Sequence, residues 1–233
     1  MFEEIADREF VNLTRSTIPL LSYWREPERA LEAVSAAIGL TDIRRAYVLF
    51  EAETPSLKPK YKSSFTDVML LSRSVAVAIE GKWSEPRYET VGEWCTSDRR
   101  RDVLRHWLAL IKPYSAYPDQ DDLFSDLVYQ MIHRSASACA QKRENSVLIY
   151  QVFRDKARPD HYSKDLRLFV ETLKPLKTFR VLLCRVPMLV TDHYVELTKQ
   201  VVPNRRENVL AIRAAVCSGA LFRFEQPVFE SFS

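Results

Sequence analysis

Glycine is scarce in this chain. The 233 residues hold only Gly39, Gly81, Gly92 and Gly219, and the closest two stand eleven positions apart. A dinucleotide loop of the G-x-G-x-x-G kind, a G-x-x-x-x-G-K-[ST] phosphate loop and a G-x-S-x-G nucleophile elbow all need closer glycines, so all three are excluded. Cysteine is as thinly spread: Cys95, Cys139, Cys184 and Cys217 lie 33 or more apart, with no C-x-x-C. That excludes a zinc knuckle. The opening Met1-Phe2-Glu3-Glu4 is acidic and lacks an apolar leader. The thiols are therefore expected to be reduced and the protein cytoplasmic. The four histidines are 27 or more apart and none forms H-E-x-x-H. No stretch free of Lys, Arg, Asp and Glu exceeds nine residues. A membrane-spanning helix needs about 20 apolar residues, so no membrane partner is expected. Charge of one sign is also lacking. The net charge is +3 and the pI about 8.6, which permits a nucleic-acid partner without the strongly basic footprint of a dedicated binder. What remains for chemistry is carboxylates and lysines.

The composition is that of a globular chain, 46% hydrophobic and 28% charged, and the length suits one domain. Pro27, an apolar face of Leu31, Val34 and Ile38, and Gly39 predict a helix over 27–39. A strand is predicted over 46–52. Val68–Leu71 and Val75–Ile79 are apolar at consecutive positions, as in central strands covered on both faces. Further helices are predicted over 98–112, 121–142 and 162–174, and strands over 146–153 and 179–186. A helix over 190–201 and a strand over 220–229 complete the chain. Interleaved helices and strands imply an α/β or α+β class with one mostly buried sheet.

Charge gathers at one end of the two most apolar strands. Phe65-Thr66-Asp67 enters the first, and Glu80-Gly81-Lys82 leaves the second. With Arg73-Ser74 as a two-residue hairpin turn, Ser72 pairs with Val75, and counting outward sets Asp67 opposite Glu80. Directly opposed side chains have Cβ atoms about 4.5–5.5 Å apart, and like charges so placed destabilise a sheet. Lys82, two residues on, shares the face of Glu80. A divalent metal between the carboxylates would remove the conflict, and oxygen ligation with room for water suits Mg²⁺ or Mn²⁺. The competing explanation is that strand ends are simply solvated and Lys82 is a surface counter-ion.

Three segments carry a resemblance: Phe65-Thr66-Asp67-Val68, then Glu80-Gly81-Lys82-Trp83-Ser84-Glu85-Pro86, then Tyr129-Gln130-Met131-Ile132-His133-Arg134-Ser135-Ala136-Ser137-Ala138. The chain resembles the PD-(D/E)xK, restriction-endonuclease-like nuclease superfamily. More narrowly, it resembles an uncharacterised bacterial family of that superfamily whose pattern runs T-D-[LVF], E-G-K-x-x-E-P and Y-Q-L-L-H-R-T-A-S-A. Thr66 stands where the superfamily's name has proline. The resemblance covers about residues 25–175. It implies a mixed four-stranded central sheet flanked by helices, with an α-β-β-β-α-β core over about 25–186 and an elaboration over 187–233 of the same domain. It implies Asp67, Glu80 and the Gly81 carbonyl as metal ligands, Lys82 as the catalytic lysine, and Mg²⁺-dependent hydrolysis of phosphodiester bonds, with DNA the expected polymer.

Around this triad stand further candidates. Gln130 and Arg134 are four apart and share a helix face; Gln130 is a candidate to hold a water or a phosphate, and Arg134 a candidate for a phosphate oxygen. Both lie beside the apolar stripe of the helix, and His133 points further from that stripe. Glu85 is a candidate to orient Lys82 or to cap the next segment. One of Glu28, Glu32, Glu51 and Glu53 is a candidate further carboxylate. Lys58, Lys60 and Lys62 around Tyr61, and Arg99, Arg100 and Arg101 with Arg105, are candidate phosphate contacts, led by Lys60, Lys62 and Arg100. Each of these charge runs also suits a plain solvated face. Trp24, Trp83, Trp94 and Trp107 are expected in the core. The alternative function is a non-catalytic nucleic-acid or protein interaction module that keeps the nuclease fold. A homodimer is compatible with either.

Overall fold

The computed structural model describes residues 5–58, 60–118, 121–154 and 161–233; Met1–Glu4 lie outside that set. Eight helices and seven strands are defined among them, besides short 3₁₀ turns. The strands are β1 (Tyr47–Thr54), β2 (Ser64–Leu71), β3 (Val75–Lys82), β4 (Asn145–Arg154), β5 (Phe179–Val190), β6 (Phe222–Phe224) and β7 (Val228–Phe232). The helices are α1 (Thr17–Trp24), α2 (Pro27–Ile38), α3 (Val91–Trp94), α4 (Asp98–Ile111), α5 (Tyr129–Cys139), α6 (Tyr162–Leu173), α7 (Asp192–Gln200) and α8 (Asn208–Ser218).

One mixed sheet runs β1-β2-β3-β4-β5-β6, with β7 also on β5. β1, β2 and β3 are antiparallel neighbours, whereas β3, β4 and β5 run parallel. The expected class, α/β with a mixed central sheet flanked by helices, is what the chain adopts, with seven strands where the sequence pattern predicts six and the resemblance implies a four-stranded core. Period-two alternation sorts the central strands into two cores. Val77, Ile79, Val147 and Ile149 pack beneath α1, α2 and α8. Leu148, Tyr150, Val152, Val181 and Leu183 pack on the other face with α4, α5 and α6. The C-terminal elements are built into the first core, through Leu197, Val209, Ile212, Val216 and Phe222. Among the described residues no helix is long and apolar enough to cross a membrane.

The hairpin register is the expected one. Val68 pairs with Ile79 and Leu71 with Ala76, and the Ser72 N–H donates to the Val75 carbonyl at 2.9 Å. Asp42 fastens the turn from outside, accepting from Ser72 Oγ at 2.8 Å, Ser74 Oγ at 2.6 Å and the Ser74 N–H at 3.2 Å. Gly39 ends α2 in the left-handed region, φ 67°, and its N–H caps the Ser35 carbonyl; this is the conformation glycine reaches without a Cβ penalty.

Several elements differ from expectation. The helix over 121–142 shrinks to Tyr129–Cys139, because Val128 is extended and bridges Thr90. Phe124, which ends a separate 3₁₀ turn over Asp121–Phe124, and Leu127 are buried in the same core. The strand over 220–229 is two strands, which pair with separate stretches of β5, Met188–Val190 and Val181–Arg185. Helices α1, α3 and α8 were not foreseen. The buried residues of α1 run almost without a break, Ile18 to Ser22 and Trp24, so it has no polar face to give a period.

Candidate active site

Asp67 lies on β2 and Glu80 and Lys82 on β3, and the structure brings all three into one polar knot beneath α5. The paired register of β2 and β3 ends at Val68 and Ile79, one step short of Asp67 and Glu80. There the Asp67 side chain takes over from the ladder: its Oδ2 accepts the Gly81 N–H at 2.8 Å. Glu80 is almost fully buried, at 3% exposure, and accepts from three donors. Lys82 Nζ lies 2.8 Å and Gln130 Nε2 2.5 Å from its Oε1, and Arg134 Nε donates to its Oε2. Arg134 also faces Asp67, with one terminal nitrogen 3.7 Å from Oδ1. Its other terminal nitrogen donates to Ser64 Oγ at 2.9 Å.

The helical spacing of α5 makes this possible. Gln130, Arg134 and Ser137 fall on one stripe of the helix, and that stripe faces the sheet and is buried. It was expected only to border the apolar stripe. Arg134, a candidate for phosphate, instead spends its guanidinium on the two carboxylates and Ser64. His133, set aside on its position in the sequence, belongs to the site: its Nδ1 is 2.9 Å from Ser64 Oγ. Nothing in the sequence marked Ser64.

The electrostatics divide the two carboxylates. Burial alone would raise the Glu80 pKa, but Arg134 and Lys82 hold it below the usual carboxylate range. Burial and the charge on Glu80 push Asp67 up to about 8, although its side chain keeps 20% of its surface open. Lys82 stays cationic because Glu80 and Asp67 outweigh the cost of its burial. His133 is driven well below its usual range by burial and by Arg134, and is neutral.

Of the four candidate further carboxylates, Glu51 is the one that reaches this cleft. The β1–β2 register is continuous on either side of it, Phe50 with Val68 and Ala52 with Thr66, which sets Glu51 at the level of Asp67. Its φ is 49°, an unusual left-handed conformation for a residue other than glycine. Burial first and Glu9 second raise its pKa. Glu32 pairs with Arg44 at the other end of the sheet.

Glu85 does not touch Lys82. Its Oε1 accepts the Ser16 N–H at 2.7 Å and its Oε2 the Trp83 N–H at 3.0 Å, so it ties the start of α1 to the end of β3. Gly81 carries a packing constraint of its own: a Cβ there would lie 3.1 Å from Leu20 Cδ2 of α1.

Asp67 and Glu80 line a cleft of about 900 Å³ whose rim combines cations and aromatic rings. Lys62, Arg99 and Arg100 line it, with Tyr61 and Trp94. The Arg99 guanidinium lies 4.5 Å from the Tyr61 ring centre, and that of Arg100 lies 5.4 Å from Trp94. Lys58 and Lys60 crowd the same Tyr61 ring, at 5.7 and 5.9 Å. Lys82 is not among the lining residues; it is 7% exposed and meets the site from behind Glu80. Arg101 is turned onto Asp98. Trp94 is half-buried on the rim, stacked on Tyr129 at 3.6 Å, whereas Trp24 and Trp107 are core.

Among the described residues, no three His, Cys, Asp or Glu side chains are grouped so as to hold a metal ion by themselves. Two carboxylates completed by a backbone carbonyl and water form a smaller set than that.

Fold and site together define an α/β protein with a carboxylate–cation knot at the foot of a basic, aromatic cleft. The chain belongs to the family described as a domain of unknown function (DUF6946), whose model matches residues 1–187. No curated protein and no solved structure matches it.

Proposed function

We propose that the chain is a divalent-metal-dependent nuclease, of the restriction-endonuclease-like type, that hydrolyses phosphodiester bonds in DNA. One observation carries the reading: Asp67, Glu80 and Lys82 converge on adjacent strand ends with Gln130 and Arg134, below a rim of lysine, arginine and aromatic side chains. The rim suits a strand of phosphates and stackable bases.

The residues fit a divalent cation on their charge and donor chemistry. Asp67 keeps a proton up to about pH 8, which marks a place where added positive charge is welcome. Gln130 Oε1 is a buried acceptor with no hydrogen-bond partner among the described residues. Asp67, Glu80 and the Gly81 carbonyl would hold a Mg²⁺ or Mn²⁺ ion, with Gln130 or Glu51 beside them. When bound, such an ion polarises a phosphoryl oxygen and acidifies a water. Lys82, held behind Glu80, supplies a fixed ammonium whose field favours the negative charge that develops at phosphorus. Gln130 and Arg134 hold Glu80 in place. Lys62, Arg99 and Arg100 bind the strand by its phosphates.

The test is cleavage of labelled DNA and RNA oligonucleotides by the purified chain with Mg²⁺, Mn²⁺ or EDTA, beside Asp67→Asn and Glu80→Gln. Metal-dependent cutting lost in both folded variants is the expected result. Equal cutting by all three proteins, or none under any divalent ion, overturns the reading. A second reading, a non-catalytic nucleic-acid module, is favoured by the three donors that already saturate Glu80. Tight binding of oligonucleotides without cleavage would select it.

A further inference from the structure

The other end of the β2–β3 hairpin carries a second basic cleft, of about 730 Å³, lined by Arg44, Arg45, Arg73 and Arg143 with Asp42 and Tyr47. The arginines come from three separate turns. Arg44 and Arg45 close the 3₁₀ turn before β1. Arg73 is in the β2–β3 turn, and Arg143 lies between α5 and β4, its carbonyl held by the Tyr114 hydroxyl at 2.8 Å. Arg44 is engaged, by Glu32 at 3.2 Å and by Ser35. Arg45, Arg73 and Arg143 have no carboxylate partner among the described residues, and Arg143 Nε is a buried donor with no acceptor. The one acid lining the cleft, Asp42, is spent on Ser72 and Ser74. Tyr47 stands 77% exposed at the start of edge strand β1.

With Arg44 paired to Glu32, three further guanidinium groups gather around the one carboxylate of Asp42, and their repulsion is what an anion would relieve. Guanidinium forks match phosphate oxygens in pairs, and an aromatic ring beside them suits a base or a sugar face. We propose that this cleft binds phosphoryl groups, either of a free nucleotide-sized ligand or of a nucleic-acid strand. Arg45, Arg73 and Arg143 are the contacts and Tyr47 is the flanking ring. The proposal does not depend on the candidate active site, from which the hairpin's length separates it.

The experiment uses the full chain in EDTA, with tripolyphosphate, a labelled single-stranded oligonucleotide and an oligo-glutamate peptide as probes. Arg45→Ala/Arg73→Ala is the test variant; both side chains are exposed, and an unchanged melting temperature confirms that it folds. Tripolyphosphate binding weakened about tenfold or more in the variant supports a free phosphate ligand. Oligonucleotide binding alone, weakened and with a shallower salt dependence, supports a strand. The proposal falls if neither phosphate probe binds, if the variant binds both as wild type does, or if oligo-glutamate binds as tightly as the phosphates.

Discussion

Glu80 and Arg134 are 54 positions apart in sequence and meet as a buried ion pair, the Arg134 Nε donating to Glu80 Oε2. Each side chain is under 10% exposed. Breaking such a pair from one side leaves a charge in low dielectric, at a cost of about 3–5 kcal/mol. Arg134→Met is therefore expected to lose about that much stability in urea denaturation. Glu80→Met/Arg134→Met should lose less than the sum of the two single changes, because each change removes the partner that the other leaves unpaired, while Lys82 loses Glu80 equally in both backgrounds. Additive losses would mean that the two groups are not coupled.

Asp42 gives a pH test of the hairpin turn. Burial is the largest single influence and opposes its ionisation, but the hydrogen bonds from Ser74 and Ser72 together outweigh it and lower its pKa below the ordinary carboxylate value. A lowered acid contributes stability that is full above its unfolded pKa of about 4 and is lost as pH falls through the folded value. The stability difference between wild type and Asp42→Asn should thus be constant near neutrality and shrink in acid. Urea midpoints at a series of pH values read this directly, and a difference that grows in acid would refute it.

Gly81 sits between two demands, the knot on one side and Leu20 on the other. A Cβ at 3.1–3.4 Å from three Leu20 atoms overpacks the β3–α1 contact, which typically costs about 1–3 kcal/mol. Gly81→Ala should lower the denaturation midpoint by that amount. Adding Leu20→Ala should then cost less than it does in wild type, where it opens a cavity of about 2–5 kcal/mol. Equal costs in both backgrounds would show that Gly81 is not there to admit Leu20.

The hairpin register follows from the sequence once a two-residue turn is placed in Ser72-Arg73-Ser74, the break between the apolar runs Val68–Leu71 and Val75–Ile79, because turn length sets the pairing of a hairpin. The triad's convergence followed from that register. What the sequence hid was set by partners distant along the chain. Arg134 looked free for phosphate because nothing in α5 alone says that its stripe faces Glu80. His133 looked remote because Ser64, its partner, lies 69 positions away. Glu85 resembled an aid to Lys82, being three residues from it, yet its bond runs to Ser16. Helix α1 was invisible because its burial is nearly continuous and gives no period. Glu51 could not be chosen among four glutamates until the β1–β2 register set it level with Asp67.

Lys82 separates a catalytic role from a structural one. Its ammonium is 2.8 Å from Glu80 Oε1 and it is 7% exposed, so it is held in one position rather than sampling solvent. If the site cleaves phosphodiesters, this charge is preorganised, and losing one such contact typically lowers turnover about 10²–10³-fold. Lys82→Ala leaves Gln130 and Arg134 on Glu80, so Mn²⁺ affinity by calorimetry should change far less than turnover. Lys82→Arg should not restore the rate, because a planar guanidinium is larger than the ammonium its buried slot encloses and cannot put its charge at the same point. A role confined to packing predicts the opposite pattern: stability falls in Lys82→Ala while the rate per folded molecule holds. Cleavage kinetics normalised to folded protein, measured beside Mn²⁺ titrations, distinguish the two. Unchanged turnover in Lys82→Ala would reduce the lysine to a counter-ion for Glu80.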